Sequence, residues 1–183
     1  MRIVIGMTGA SGAAFGVDFV RRCQAEKYLI INRWGRCVLK EETGLTEHHL
    51  AEHVKRSFPD EDLSAPFSSG SNPFDALVIL PCSASTMAKI ACGIGDTLLT
   101  RTAQVALKER RKLIIGLRET PLSAIHLEQA HKLSLAGATI MPISPPFYQK
   151  PQTLEEMVAH FNNKVLNLLG FETSLAWKSE LLE

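Results

Sequence analysis

Arg2-Ile3-Val4-Ile5-Gly6-Met7-Thr8-Gly9-Ala10-Ser11-Gly12, running on into Ala13-Ala14-Phe15-Gly16-Val17-Asp18-Phe19-Val20, decides the fold. The apolar run from Arg2 to Met7 is too short for a helix and predicts a strand buried on both faces. Thr8 to Gly12 breaks it. From Ala13 to Lys27 apolar residues return at helical spacing, with Phe15, Phe19 and Val20 marking one face. Strand, glycine loop and helix in that order open a parallel α/β sheet.

The rest of the chain continues the alternation. Tyr28 to Ile31 predicts the second strand, followed by a helix from about Trp34 to Glu42. The more polar stretch from Leu45 to Asn72 predicts a helix over Glu47 to Arg56 and an irregular segment ending in Ser68-Ser69-Gly70-Ser71. Ala76 to Leu80 is the clearest interior strand, with Pro81 ending it. Helices are expected from Thr86 to Cys92 and from Thr97 to Lys108, then a strand from Lys112 to Leu117. Thr120-Pro121 has the form of an N-cap with proline at the first helical position, opening a helix to about Ala136 that Gly137 stops. Thr139 to Met141 makes a last short strand, and Thr153 caps an amphipathic helix reaching Leu169, with Gly170 after it. The pattern predicts an α/β fold: a single doubly wound, mostly parallel sheet with helices on both faces. Residues 1–183 form one domain in this reading, with a C-terminal tail from about residue 171.

Composition narrows the function. Of 183 residues, 45% are hydrophobic and 21% charged, ordinary for a globular protein with a sizeable core. A net charge of +1 gives no bulk attraction to nucleic acid or a membrane surface. Apolar stretches such as Ala76 to Leu80 are far too short to span a bilayer, and Arg2-Ile3-Val4-Ile5-Gly6 has no signal-peptide pattern. Cys23, Cys37, Cys82 and Cys92 include no C-x-x-C pair, and they read as reduced thiols of a cytoplasmic protein.

Ligands of such sheets bind beyond the carboxyl ends of the strands. Four segments leave those ends. Gly6 to Gly12 spaces its glycines G-x-x-G-x-x-G, which lets backbone amides and the Ser11 hydroxyl approach a phosphate or flavin, or serves only as a tight turn. Asn32-Arg33 follows the second strand. It lacks the acid that holds NAD ribose hydroxyls, while Arg33 leaves NADP open. Pro81-Cys82-Ser83-Ala84-Ser85-Thr86 supplies three hydroxyls at a helix start, more than an N-cap needs. Arg118-Glu119-Thr120-Pro121 places a charged pair at the sheet mouth, suited to anion binding and proton transfer or to a surface ion pair. Most of Lys108 to Lys112 reads as a solvated helix end. His48, His49 and His53 lack a carboxylate or cysteine to complete a zinc set, so no metal site is expected. Cys82 stands where a nucleophile would, although a small buried residue suits it better.

These segments, taken with others, closely resemble the flavin prenyltransferases (UbiX-type proteins). The resemblance rests on GMTGASG at Gly6 to Gly12, KEETG at Lys40 to Gly44, SSGS at Ser68 to Ser71, PCSASTMAKIACGIGD at Pro81 to Asp96, LLTRTAQVALKERRKL at Leu98 to Leu113, RETPLSAIHLE at Arg118 to Glu128, and PPFYQKPQTLEEMV at Pro145 to Val158. It implies a flavodoxin-like or Rossmann-like three-layer subunit that binds FMN and assembles into trimers and dodecamers. It also implies transfer of a dimethylallyl group from dimethylallyl monophosphate, or in some members the diphosphate, to N5 and C6 of reduced FMN. The product, prenylated FMN, serves UbiD-type decarboxylases, and no metal is needed. Carried onto this chain, Gly9, Ala10, Ser11, Asn32, Ser83, Ala84, Ser85, Thr86 and Arg118 are expected around the flavin. Glu42, Lys108, Arg118, Tyr148 and Lys164 are expected around the prenyl phosphate, with Arg101 in support and Glu119 as the acid-base group. Trp34 or Trp177 could wall the allyl cation.

Three positions depart from the family pattern. Asn32 replaces serine, Lys164 replaces arginine and so loses its two-pronged hold on phosphate, and Gly116-Leu117 replaces Val-Pro before Arg118. Three other functions fit parts of the pattern. A flavin carrier or chaperone would bind FMN without prenyl transfer. An FMN-dependent cysteine-type decarboxylase would want a histidine on the helix where this chain has Trp34. A plain NADP-binding domain would show no flavin colour.

Overall fold

The structure, a computed structural model, describes residues 1–173. Six strands, β1 (Arg2–Met7), β2 (Glu26–Ile31), β3 (Arg56–Pro59), β4 (Ala76–Cys82), β5 (Lys112–Leu117) and β6 (Thr139–Pro142), form one sheet in the order β3-β2-β1-β4-β5-β6. Every pairing is parallel. The helices are α1 (Ala13–Arg22), α2 (Arg33–Thr43), α3 (Glu47–Ala51), α4 (Ala84–Ala91), α5 (Leu98–Lys108), α6 (Ala124–Leu135) and α7 (Leu154–Leu169), with a 3-10 turn at Pro66–Ser68. Of the two common doubly wound orders this is the Rossmann one, and its switch point lies between β1 and β4.

The central strands are apolar at almost every position because both their faces are covered, and alternate side chains enter different cores. Val4, Ile30, Leu77 and Ile79 join Met87 and Ile90 of α4, Leu99 and Ala103 of α5, and Leu133 of α6. Ile3, Ile5, Leu29, Ile31, Val78 and Leu80 face the other way, against Phe19 and Val20 of α1, Leu39 of α2, Leu50 of α3, and Phe161 and Val165 of α7.

Four expectations from the sequence need correction. The first helix stops at Arg22 rather than Lys27, because Cys23 turns extended and Glu26 is already paired with Arg2 in the sheet. The helix expected over Glu47 to Arg56 ends at Ala51, and Arg56–Pro59 is instead the edge strand β3. Pro81 does not end the fourth strand: the chain passes through a cis Leu80-Pro81 peptide and a register shift to Cys82. Thr120 is not a cap, since Thr120-Pro121 is also cis and α6 starts at Ala124. Its capping box is Ser123, whose hydroxyl accepts from the His126 N–H at 3.3 Å, while the Ser123 N–H donates to His126 Nδ1. The last helix and its Thr153 and Gly170 ends fall as expected.

The Gly116 departure has a packing reason. A Cβ there would lie 2.5 Å from Leu80 Cδ1 and 3.2 Å from the Ile79 carbonyl, so the leucine of β4 fills the space a valine would take.

Candidate functional site

The crevice opens where the β1 and β4 ends diverge toward their loops. Thr8 stitches the two: its hydroxyl donates to the Pro81 carbonyl at 2.9 Å and accepts from the Ser83 N–H at 2.8 Å. On the β2 side the Asn32 N–H donates to the Met7 carbonyl at 3.1 Å, and Asn32 Oδ1 caps α2 by accepting from Gly35 N at 2.7 Å. The asparagine oxygen is thus engaged, which leaves its amide N–H groups as donors to a ligand. Gly9 is required for close approach, because a Cβ there would sit 2.4 Å from Trp34 Cβ.

These loops bound a cleft of about 370 Å³ lined by Gly9, Asn32, Trp34, Ser83, Ser85 and Thr86 among the expected residues. Ala10, in the loop after β1, and Ala84, the first residue of α4, are buried and do not line it. Ser83 caps α4, accepting from Thr86 N at 3.3 Å and donating to Thr86 Oγ1 at 3.0 Å. That leaves Ser85, exposed at the first turn of α4, beside uncommitted helix amides. The sequence reading missed Asp60, which comes off β3 and also lines this cleft. Burial pushes its carboxyl up, against the opposing pull of the Leu99 N–H, which it accepts at 2.8 Å, and of the Thr97 hydroxyl. Its signal in the sequence is weak: it opens the acidic run Asp60-Glu61-Asp62 after a strand too short to stand out.

Glu42, Ser11 and Arg118 gather on the rim. Glu42 reaches the start of α1 and accepts from Gly12 N at 2.9 Å and Ala13 N at 2.8 Å. Its burial favours the protonated form, but the Ser11 hydroxyl, those two N–H groups and the Arg118 charge prevail and hold the carboxyl below its ordinary value. Arg118 and Glu119 follow β5 directly, both exposed. The Arg118 N–H donates to the Cys82 carbonyl at 3.0 Å, and Glu119 Oε1 accepts from Thr120 N at 3.1 Å.

Tyr148 and Lys164 share a second cleft, of about 380 Å³, between the loop after β6 and α7. Arg101 and Lys108 stand apart from both clefts. They lie seven residues apart on the outward face of α5, where Arg101 Nε donates to the Ser68 carbonyl at 2.9 Å and Lys108 pairs with Glu109. Lys108 ends α5 at the amino edge of the sheet, whereas Glu119 follows its carboxyl edge, so the length of β5, about 20 Å at 3.3 Å per residue, lies between them. Within one chain these groups do not meet.

Other sequence candidates resolve into structural roles. Cys82 is fully buried and its thiol is pushed up to about 12 by desolvation, which leaves no thiolate for attack. All four cysteines are free. His49 belongs to the α3 cap, accepting from the Thr46 N–H at 3.1 Å. Trp177 lies outside the described residues. A broader depression of about 820 Å³ runs along the amino edge, but its charges answer one another: Arg2 Nε and the Tyr28 hydroxyl both donate to Glu26, at 2.9 and 2.7 Å. Among the described residues no helix is long and apolar enough to cross a membrane.

Comparison with known proteins agrees with this geometry. Residues 1–165 match the Flavoprotein family model. The chain is 43% identical to a flavin prenyltransferase UbiX from Thermoplasma acidophilum, over 96% of this chain and 98% of the relative. Among solved structures it resembles AnUbiX (PadA1) in complex with FMN and dimethylallyl pyrophosphate, with TM-score 0.91 and 37% identity over 97% of this chain and 98% of that one. It also resembles a dodecameric FMN-dependent UbiX-like decarboxylase from Escherichia coli O157:H7, with TM-score 0.93 and 36% identity over 97% and 99%. A match of this depth along nearly the whole length places the chain in the flavin prenyltransferase family.

Proposed function

We propose that this enzyme binds reduced FMN in the switch-point cleft and transfers to it the dimethylallyl group of dimethylallyl phosphate, joining N5 and C6 and releasing prenylated FMN for a UbiD-type decarboxylase. The observation that carries the reading is the convergence of hydroxyl-lined cleft and charged rim. Ser83, Ser85, Thr86 and Asn32 line one side of the crevice, and Ser11, Glu42, Arg118 and Glu119 stand where β1 and β5 leave the sheet. The cleft volume, about 370 Å³, falls in the range of small-molecule sites. Its donors are hydroxyls, helix amides and the Lys89 ammonium group, a set that accepts a flavin phosphate without a metal.

The division of labour follows from side-chain chemistry. Breaking the allylic C–O bond sends its electron pair onto the phosphate, so cations must meet the departing dianion; Arg118 and Lys164 are the candidates from this chain. Closing the ring at C6 releases a proton, and Glu119 at the sheet mouth accepts it. Lys108 lies across the sheet from Glu119, so in this reading a neighbouring copy presents it; Arg101, in the first turn of α5 next to the cleft residue Thr100, stays at the carboxyl edge in support. The enzyme is accordingly a homo-oligomer whose prenyl-phosphate site is completed between subunits.

The test is anaerobic incubation of the protein with reduced FMN and dimethylallyl phosphate, then mass measurement of the released flavin. A flavin heavier by one five-carbon unit is expected. Unmodified flavin with both the monophosphate and the diphosphate would defeat the proposal. Glu119→Gln separates enzyme from carrier: it should retain FMN and lose prenylation, whereas a carrier would function unchanged.

A further inference from the structure

We propose that His160 is a further contact for the phosphate of the prenyl donor, acting with Lys164 one helical turn away. This deepens the assignment of Tyr148 and Lys164 to the donor phosphate and rests on it. The argument starts from α7, whose residues Val158, Phe161, Val165 and Leu169 are buried against the sheet. A second stripe, His160, Asn163, Lys164 and Asn167, recurs at i, i+3, i+4 and i+7, the spacing of one helix face. All four line the cleft that Tyr148 closes from the loop after β6. A polar stripe on a solvated helix needs no opposing wall, but this one has a wall.

His160 carries the second observation. Its Nδ1 is buried and has no hydrogen-bond partner among the described residues. Buried polar nitrogens are normally satisfied; this one is unpaired in a ring that lines the cleft, and a turn of the ring about its Cβ–Cγ bond would bring it to a ligand oxygen there. The ligand class follows from its neighbour. Lys164 offers a compact charge on a flexible stem and cannot hold two phosphate oxygens in a fixed fork. An imidazole on the same face, about 5–6 Å away at the Cβ atoms, adds a planar N–H donor for a second oxygen. Together the two side chains approximate the two-point hold that Lys164 alone lacks.

The experiment measures KM and kcat for dimethylallyl phosphate, and inhibition by inorganic phosphate, in the FMN-loaded protein and in the His160→Ala, His160→Asn and Lys164→Ala variants. His160→Ala should raise KM and the phosphate inhibition constant together, about tenfold for a lost hydrogen bond to a charged group, with kcat and FMN affinity unchanged. His160→Asn, whose amide nitrogen matches Nδ1 in reach, should recover most of the loss. If Lys164→Ala raises KM while both His160 variants match the parent, the His160 contact is refuted and the Lys164 assignment stands. If His160→Asn is as impaired as His160→Ala, a hydrogen-bonding role of Nδ1 is likewise refuted. If Lys164→Ala also leaves KM unchanged, the phosphate assignment of the cleft falls, and this inference falls with it.

Discussion

Replacing Glu42 by alanine should loosen the start of α1, and the structure sets the size of the effect. The N-cap of that helix is Gly12, which has no side chain to accept from the first-turn amides. Glu42 does so from outside the helix, accepting from Gly12 N at 2.9 Å and Ala13 N at 2.8 Å. Loss of an N-capping acceptor costs about 0.5–2 kcal/mol, and loss of a negative charge at a helix N-terminus about 0.3–1 kcal/mol. Glu42 lies on an exposed rim where solvent screens it, so Glu42→Ala should cost about 1 kcal/mol. For a chain of this size that lowers the melting temperature by about 2–4 °C. The pH dependence carries a sign. The folded carboxyl lies below its ordinary value of 4.5, so its contribution is fully present above that pH and is lost as pH falls through the folded value. Denaturant melts of the parent and of Glu42→Gln between neutral pH and pH 3 should therefore converge on acidification. Equal stability of the parent and Glu42→Ala at neutral pH, or a gap between the parent and Glu42→Gln that widens in acid, would refute the capping role. Prenylation by the same variants then reports separately on Glu42 at the donor phosphate.

Gly116→Val should destabilise the sheet by about 1–3 kcal/mol by overpacking, and Leu80→Val in the same chain should restore part of that loss; a double-mutant cycle with no coupling would show that Leu80 is not what the added side chain meets. Brief alkylation of the native protein, read by peptide mass, should label the exposed Cys37 and Cys92 and spare Cys23 and Cys82, whose thiols burial pushes up to about 11 and about 12; early labelling of Cys82 would contradict its placement. Glu26, held down to about 2 by the Tyr28 hydroxyl and Arg2, should stabilise the amino edge above pH 4.5 and lose that contribution as pH falls toward 2, so the parent should lose more stability than Glu26→Gln over that range; parallel acid profiles would refute the cluster.

Sequence patterns revealed the parts of this molecule whose information is local. β1, β4 and β5 lie inside the sheet, so their apolar runs are unbroken, and the loops leaving them stand out by small residues and hydroxyls that a surface turn has no reason to collect. β3 escaped because an edge strand needs few buried positions: Arg56–Pro59 buries Phe58 while Arg56 and Pro59 are exposed, and no alternation develops in four residues. Missing β3 hid Asp60, because the first residue of the acidic run Asp60-Glu61-Asp62 is set apart from its neighbours only when it is known to follow a strand into the crevice. The start of α6 was misplaced for a related reason. Thr120-Pro121 satisfies the local rule for a helix start, but so does Ser123 with His126 three residues on, and it is Ser123 whose capping box the chain forms. Asn32 shows the opposite case, a single letter with two roles, since its oxygen caps α2 while the residue also lines the cleft. Lys108 marks the limit for any single chain. Motif likeness assigns it to the same chemistry as Glu119, yet the parallel strand between them holds the two at opposite edges of one sheet. In the proposed reaction a second copy has to bring them together, which makes the symmetry of the assembly, rather than the fold of the subunit, the condition for the proposed phosphate site to gather its full set of cations.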